Sequence, residues 1–508
     1  MNQVILPEDL PGAHQRIVAL QRENNFLKEK MRLMQRELFG RSSERRVPEV
    51  SSQQLHLFAS GAAPVLAEPA KESVSYERRK AGRRRDAETG MCFPEHLERE
   101  VIELEGEKPE EGATVEWEKI SEHLCCRPTQ FFVKQYRRPV YKTKDGEVIS
   151  TPAPETVFER VMVDRTFLSW VFVAKFCWHL PLFRIEQMLK AQGIQLSRDT
   201  LINYVIRAAE LLLPLYKALM EVVLESERLF ADETPVTVGK IVFGAKKYER
   251  AYFWPLLADK EILFFYSPTR AAKNLQNFLG DYKGYVQCDG YRAYEKVARA
   301  NPELVLVGCW AHARRKFIDA EKSDPERVGK ALKFIRLLYR VERSARERNL
   351  SPPQLLYQRR RWSAKILKAF KEYLQQLLAE PDVLPKSLLC KACSYALTRW
   401  SQLTEYTSNP ILAIDSNAIE RQIRPVALGR KNWLFCASEV GAEAVAVFYS
   451  LIATCKLNEV DPWLYLADVL LRISDPQCSN PRDLLPQQWK KLYEADAKDS
   501  LLKNTPRV

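Results

Sequence analysis

The chain has 508 residues, 46% of them apolar, and carries a formal net charge of +13 with an isoelectric point near 9.1. These figures exclude a disordered chain and a single small domain. They leave roughly two to four domains with real hydrophobic cores, and a cationic surplus that favours a polyanion: nucleic acid first, an anionic membrane second. Eleven cysteines, scattered through apolar contexts such as "FCWHL" and "IATCKL", read as buried thiols in a reducing compartment. The start "MNQVILPEDL" has neither a basic run nor an apolar stretch of signal length, and no long apolar span stands out. A cytoplasmic location without a membrane is therefore expected.

Residues 1–45 contain a short heptad pattern. Ile17, Asn24, Met31 and Leu38 fall seven apart, with Leu20, Leu27 and Met34 between them. This is the a/d seam of a coiled coil, with Asn24 of the type that fixes register in a two-stranded coil. A homodimer or higher oligomer is the expectation, and an amphipathic helix packed on its own domain is the alternative. Residues 46–99 read as a linker. It contains the segment "ERRKAGRRR" (77–85), with six cations in nine residues, among them Arg83, Arg84 and Arg85. These are either solvated or in contact with a phosphate backbone. Residues 100–165 alternate like strands ("QFFVKQYRRPVYKT") around "KDGE". Cys92, Cys125 and Cys126 form no paired CxxC frame there, so no zinc is expected.

Residues 166–226 read as helices. One helix over 182–191 ends at Gly193, and Ser197 caps a second. Ile185, Met188, Leu189, Ile194, Leu201 and Val205 supply the apolar face. The result is a helix-turn-helix pattern with Arg198, Asp199, Thr200 and Asn203 at the exposed start of the second helix. Such a helix enters a major groove in DNA-binding proteins, although many helical hairpins touch no DNA.

From 227 to 318 the period becomes strand-like. "RLFADETPVTV", "RAYFWPLLAD" and "EILFFYSPT" are three strands, "AAKNLQNFLGDY" a helix, "GYVQCDGYRAYEKV" a strand with its loop, and "ELVLVGCWAHARRKF" a fifth strand after a short helix. That order is the order of the ribonuclease H-like fold. In it, Asp232 after the first strand and Asp289 after the fourth would face one another. Two carboxylates so close need a cation, and Mg²⁺, or two such ions, suits them. Residues 319–410 turn helical. They include a lone CxxC ("CKAC", 390–393) read as packed thiols, and Arg359, Arg360 and Arg361, either solvated or reaching phosphate. Residues 411–475 bring back acid and base together in "AIDSNAIERQIRPVALGRKNWLF", and 476–508 form a tail. Glu420 lies on a helix capped by Asp415 or Ser416.

The ordered blocks resemble the insertion-sequence-66 family of bacterial DDE (Asp-Asp-Glu) transposases over almost the whole length. The blocks are "ELFGRSSER", "LPLFRIEQMLKAQGIQLSRDTLINYV", "FADETPV", "VQCDGYRAY" with "CWAHARRKF", "IDSNAIERQIRPVALGRKNWLF" and "YSLIATCKLNEVDPWLYLADVL". The resemblance implies a multidomain α/β plus α protein: a ribonuclease H-like catalytic core with a helical insertion, an N-terminal coiled coil and a helix-turn-helix region. It assigns Asp232, Asp289 and Glu420 as a triad holding two Mg²⁺ (or Mn²⁺) ions. One ion activates water to nick a transposon end, and the freed 3′-hydroxyl then attacks target DNA. Arg421, Arg424, Arg430 and Lys431 match the family's basic run and would position phosphates of double-stranded DNA. His312, Asp415 and Asn417 would support the site, and small accessory proteins of the same element are possible partners. Two departures stand out. The family's paired zinc cysteines are missing from the region after the basic segment, and Ser416 replaces the usual Asn. A catalytically inactive or domesticated DNA-binding regulator and a ribonuclease H-like nuclease without strand transfer are the alternatives.

Overall fold

The structure, a computed structural model, describes residues 163–502 apart from 243–244, 476–477 and 479. It also describes two short strands at 140–142 and 148–150 and the single positions 20, 24, 131, 157 and 158. Of the heptad seam only Leu20 and Asn24 are described, both helical and exposed. Arg83, Arg84, Arg85, the linker, Cys92, Cys125 and Cys126 lie outside the described residues.

The chain divides into two compact units, residues 44–154 and the remainder. In the first, β1 (Val140–Lys142) pairs antiparallel with β2 (Val148–Ser150). From residue 163 the second runs through four helices: α1 (Arg165–Phe176), α2 (Leu182–Ala191), α3 (Arg198–Leu211) and α4 (Leu213–Leu224). The α2–α3 turn forms for the reasons visible in the sequence. Gly193 takes φ +78°, a left-handed conformation that favours glycine, and the Ser197 side chain accepts from Thr200 N at 3.2 Å to cap α3. Ile185, Leu189, Leu201 and Val205 are buried, and Ile194 is half-buried. Met188 departs from the expected apolar face. The buried stripe runs through Leu182, Ile185 and Leu189, and Met188 at its margin is 45% exposed.

A mixed sheet follows: β3 (Arg228–Ala231), β4 (Thr234–Val242), β5 (Ala245–Leu257), β6 (Ile262–Ser267), β7 (Gly284–Gln287) and β8 (Leu304–Val307). Helix α5 (Ala272–Leu279) lies between β6 and β7, and α6 (Arg292–Ala300) between β7 and β8. Across the sheet the order is β6, β5, β3, β7, β8. The β5 pairings are antiparallel, whereas β3–β7 and β7–β8 are parallel.

The stretch "RLFADETPVTV", expected as one strand, is two. Both halves pair with β5 in one unbroken register, Ala231 opposite Leu256 and Thr234 opposite Phe253. The break at Asp232–Glu233 falls opposite Pro255, which has no N–H to give. Only a long bond, Asp232 N to the Pro255 carbonyl at 3.4 Å, spans it.

Helices then dominate: α7 (Trp310–Ala320), α8 (Pro325–Glu347), α9 (Pro352–Gln358), α10 (Ala364–Ala379), α11 (Leu388–Thr398) and α12 (Trp400–Thr404). Their core gathers Trp310, Phe317, Phe370, Leu374 and Leu403 with Val307 at the end of β8. Full burial of side chains of this size contributes about 1.5–3 kcal/mol each. A π-helical turn at Arg359–Ser363 joins α9 to α10 and rotates Arg359 inward. Arg359 is 2% exposed, so it faces the core and not a phosphate, while Arg360 and Arg361 remain outside. Cys390 is half-buried and Cys393 buried, both as free thiols.

The chain returns through α13 (Asn417–Trp433), α14 (Glu439–Leu457) and α15 (Pro462–Arg472). Among the described residues, α14 is long and apolar enough to cross a membrane by length and composition, which the sequence reading had not singled out. Here it is mostly buried within the protein and covers an edge of the sheet. Ser450 Oγ accepts from Phe264 N at 2.8 Å and Thr454 Oγ1 from Ile262 N at 3.2 Å, satisfying outward N–H groups of β6.

Candidate active site

Asp232 follows β3 and Asp289 lies just beyond β7. Because these strands are parallel neighbours, with Phe230 opposite Gln287, the two carboxylates emerge side by side. Each is fixed by its own backbone. Asp232 Oδ1 accepts from Glu233 N at 2.8 Å and Asp289 Oδ1 from Tyr291 N at 2.8 Å. Gly290 is required between them: its φ is +83°, and a Cβ there would lie 2.4 Å from Arg399 Nε. Arg399 donates to the Gly290 carbonyl and to Glu295, both at 2.9 Å, and the Tyr395 hydroxyl donates to the Asp289 carbonyl at 2.5 Å. Helix α11 and Arg399, just beyond its end, thus brace the Asp289 loop.

The segment carrying Glu420 is stitched to the same end of the sheet. The side-chain amide of Gln287, fully buried, donates to the Ala413 carbonyl at 2.6 Å and accepts from Ala413 N at 3.3 Å. Trp310 N donates to the Ile414 carbonyl at 3.1 Å and Ser416 N to Cys309 Sγ at 3.2 Å. With Ser416 buried, its side chain does not cap α13. Asp415 accepts from Asn417 N (3.1 Å), Asn417 Nδ2 (2.9 Å) and the Tyr339 hydroxyl (2.8 Å). Asp415 and Asn417 are therefore spent on each other at the helix start. Glu420, in the first turn, meets His312 Nε2 and Arg315 Nη2, each at 3.6 Å.

The three carboxylates are not equally close. Ligand oxygens of Asp232, Glu233 and Asp289 lie within 4.8 Å of one another, and Glu420 stands outside that set on the His312 side. Glu233 was missed in the sequence. A regular strand sends consecutive side chains to opposite faces, so Glu233 should point away from Asp232; the signal was Pro255, which interrupts the ladder there. Burial, then the charges of Asp289 and Glu420, push the Asp232 carboxyl up to about 7, against the opposing Arg270 and Arg315. Burial also lowers the pKa of His312, leaving its ring poorly disposed to neutralise the acids. An all-oxygen, crowded and partly buried donor set of this kind fits a hard divalent cation.

Basic residues flank the acids unevenly. On α13, Arg421, Arg424 and Lys431 are exposed. Arg430 is not: its guanidinium bonds Thr234 Oγ1 at 3.0 Å and the Pro235 carbonyl, tying α13 to the start of β4. On α3, Arg198 and Asn203 are exposed, whereas Thr200 is half-buried and shares a 2.9 Å hydrogen bond with Ser197.

The Transposase IS66 family pattern matches residues 160–444, which contain every acidic residue described above. A second pattern, "Transposase C of IS166 homeodomain", matches residues 26–102, and the IS66 C-terminal element matches 450–487. Among curated proteins of Sinorhizobium fredii (strain NBRC 101917 / NGR234), the uncharacterized protein y4jD is 33% identical over 437 residues, 80% of this chain and 84% of its own length. From the same organism, the uncharacterized protein y4hP is 30% identical over 504 residues, 92% of this chain and 89% of its own.

Proposed function

This chain belongs to the IS66 transposase family, and on that premise we propose that it is an insertion-sequence DNA transposase that cuts and joins DNA by a DDE mechanism. The observation that carries the reading is the convergence of Asp232 and Asp289 from parallel neighbouring strands, with Glu420 brought to their side by a separate segment. The strand order β6, β5, β3, β7, β8, three antiparallel then two parallel, supports a ribonuclease H-like core, with α7 to α12 as its insertion.

Asp232, Asp289 and Glu420 would hold Mg²⁺ or Mn²⁺. When bound, the metal supplies Lewis-acid activation of a water or 3′-hydroxyl and neutralises charge at the scissile phosphate. The remaining work falls to the chain. Arg421, Arg424 and Lys431, exposed along the helix that carries Glu420, hold the phosphate backbone of duplex DNA. Arg430 keeps that helix against β4. Arg198 and Asn203 at the exposed start of α3 suit groove contact, and Thr200 acts through the Ser197 cap. His312 and Arg315 orient the Glu420 carboxylate.

The test is cleavage of DNA carrying the inverted repeats that flank the gene. Asp232→Asn, Asp289→Asn and Glu420→Gln should each lower Mg²⁺-dependent cleavage by at least about 10³-fold, roughly 4 kcal/mol of transition-state stabilisation, with end binding intact. Cleavage retained in all three would sink the assignment. Cleavage without joining would favour a nuclease.

A further inference from the structure

Glu233 has a place in the site that the three-carboxylate motif does not give it. Its side chain is 4% exposed, and one oxygen pairs with the Arg270 guanidinium. The other oxygen, Oε2, is buried and has no hydrogen-bond partner. An anionic oxygen left bare in a protein interior is costly, and such an orphan calls for a ligand. A second orphan borders the same space. The Tyr294 hydroxyl, on a residue 1% exposed, also lacks a partner, and after burial the groups that act on it are Cys288, Asp232, Asp289 and Arg270. Arg270 is itself held. Its guanidinium lies 3.7 Å from the centre of the Tyr291 ring, and its carbonyl accepts from the Tyr291 hydroxyl at 3.0 Å. Arg270 thus links the Glu233 turn to the loop of Asp289 and supplies positive charge directly beside Glu233.

We propose that Asp232, Glu233 and Asp289 form one complete divalent-cation site, independent of Glu420. Glu233 is the third ligand, and Arg270 partly neutralises it until a metal arrives. This rests on the metal-dependent reading above and deepens it: Glu420, outside the 4.8 Å set, then serves a different ion. The ladder break opposite Pro255 is what allows two consecutive residues to share a site, since an unbroken strand would send Glu233 to the far face.

The experiment is titration of the full chain with Mn²⁺ alone, without DNA, following free Mn²⁺ by electron paramagnetic resonance. Glu233→Gln should weaken the tightest Mn²⁺ site by ten-fold or more, and Glu420→Gln should leave that site within two-fold of the parent. Arg270→Met separates ligation from scaffolding. If Glu233 is a ligand, removing its competing cation leaves Mn²⁺ binding unchanged or tighter. Equal weakening by Glu233→Gln and Arg270→Met would make Glu233 merely the anchor of Arg270 and overturn the proposal, as would an unaltered Glu233→Gln or a parent that binds no Mn²⁺. Metal-free melting curves identify any variant that fails to fold, and Glu233→Asp, which keeps the charge but shortens the reach, then replaces Glu233→Gln with the same ten-fold loss expected. A parent that cleaves transposon ends in Mn²⁺ while Glu233→Gln binds the ion normally would defeat this inference and leave the transposase reading standing.

Discussion

Two regions of this molecule bury charge, one inside the helical insertion and one at the end of the sheet, and they treat it in opposite ways. At Arg359 every donor has an acceptor. Nε and Nη2 fork onto Glu342 at 2.9 and 2.7 Å, Nη1 reaches the carbonyls of Tyr406 and Asn409 at 2.7 and 3.2 Å, and Nη2 also reaches that of Leu412 at 2.9 Å. At the sheet end acids outnumber the cations that meet them, Arg270 and Arg315, and oxygens are left over: Glu233 Oε2 and Glu420 Oε1 are buried without hydrogen bonds. The first cluster fixes the loop that leads to Asp415 and α13. The second keeps its valence open. A satisfied buried charge marks structure, and an unsatisfied one marks a place prepared for something else.

The contrast can be broken experimentally. The largest effect on stability is expected at Arg359. Arg359→Ala strands Glu342 inside the insertion and should cost about 3–5 kcal/mol in denaturant unfolding. A loss below about 1 kcal/mol would mean that the cluster is looser than its geometry implies.

The site should respond with the opposite sign. Between pH 3.8, the ordinary aspartate value, and about 7, folded Asp232 keeps a proton that the unfolded chain has released. Its contribution to stability is therefore fully present below that window and lost as the pH rises through 7. In metal-free buffer at pH 8, Asp232→Asn should unfold later than the parent by on the order of 2–4 kcal/mol, with no difference below pH 4. Added Mg²⁺ should reverse the ranking, because only the parent gains by binding it. A surface comparison completes the series. Arg482 forks onto Glu221 and Glu225 at 2.9 and 2.7 Å at the surface, its own side chain 41% exposed. Arg482→Ala should leave the melting temperature unchanged within error, and a measurable drop would show that pairing alone, without burial, sets the scale.

The legibility of the two regions in the sequence differs for the same physical reason. Asp232 and Asp289 follow apolar strands, and strand order places them together, so local pattern suffices. Gly193 and Ser197 announce the turn before α3 just as locally. Glu233 was hidden because its orientation depends on a proline in another strand. Arg359 read like its exposed neighbours Arg360 and Arg361, because nothing in "QRRRWS" reveals the π turn that rotates one arginine inward to Glu342. Arg430 read as one more cation in a basic run, yet its partners are on β4. Spacing along one element and the order of strands were legible; side-chain contacts such as Arg359–Glu342 and Arg430–Thr234 were not.

The Gln287–Ala413 pairing carries a consequence in time. Gln287 is made early, two residues before Asp289, yet the backbone it must grip is synthesised only after the whole helical insertion. A nascent or truncated chain carries both aspartates of the sheet while Glu420 does not yet exist. Domains fold largely as they emerge during synthesis. The full acidic constellation is therefore a late event, and a chain that stops short has Asp232, Glu233 and Asp289 but no Glu420.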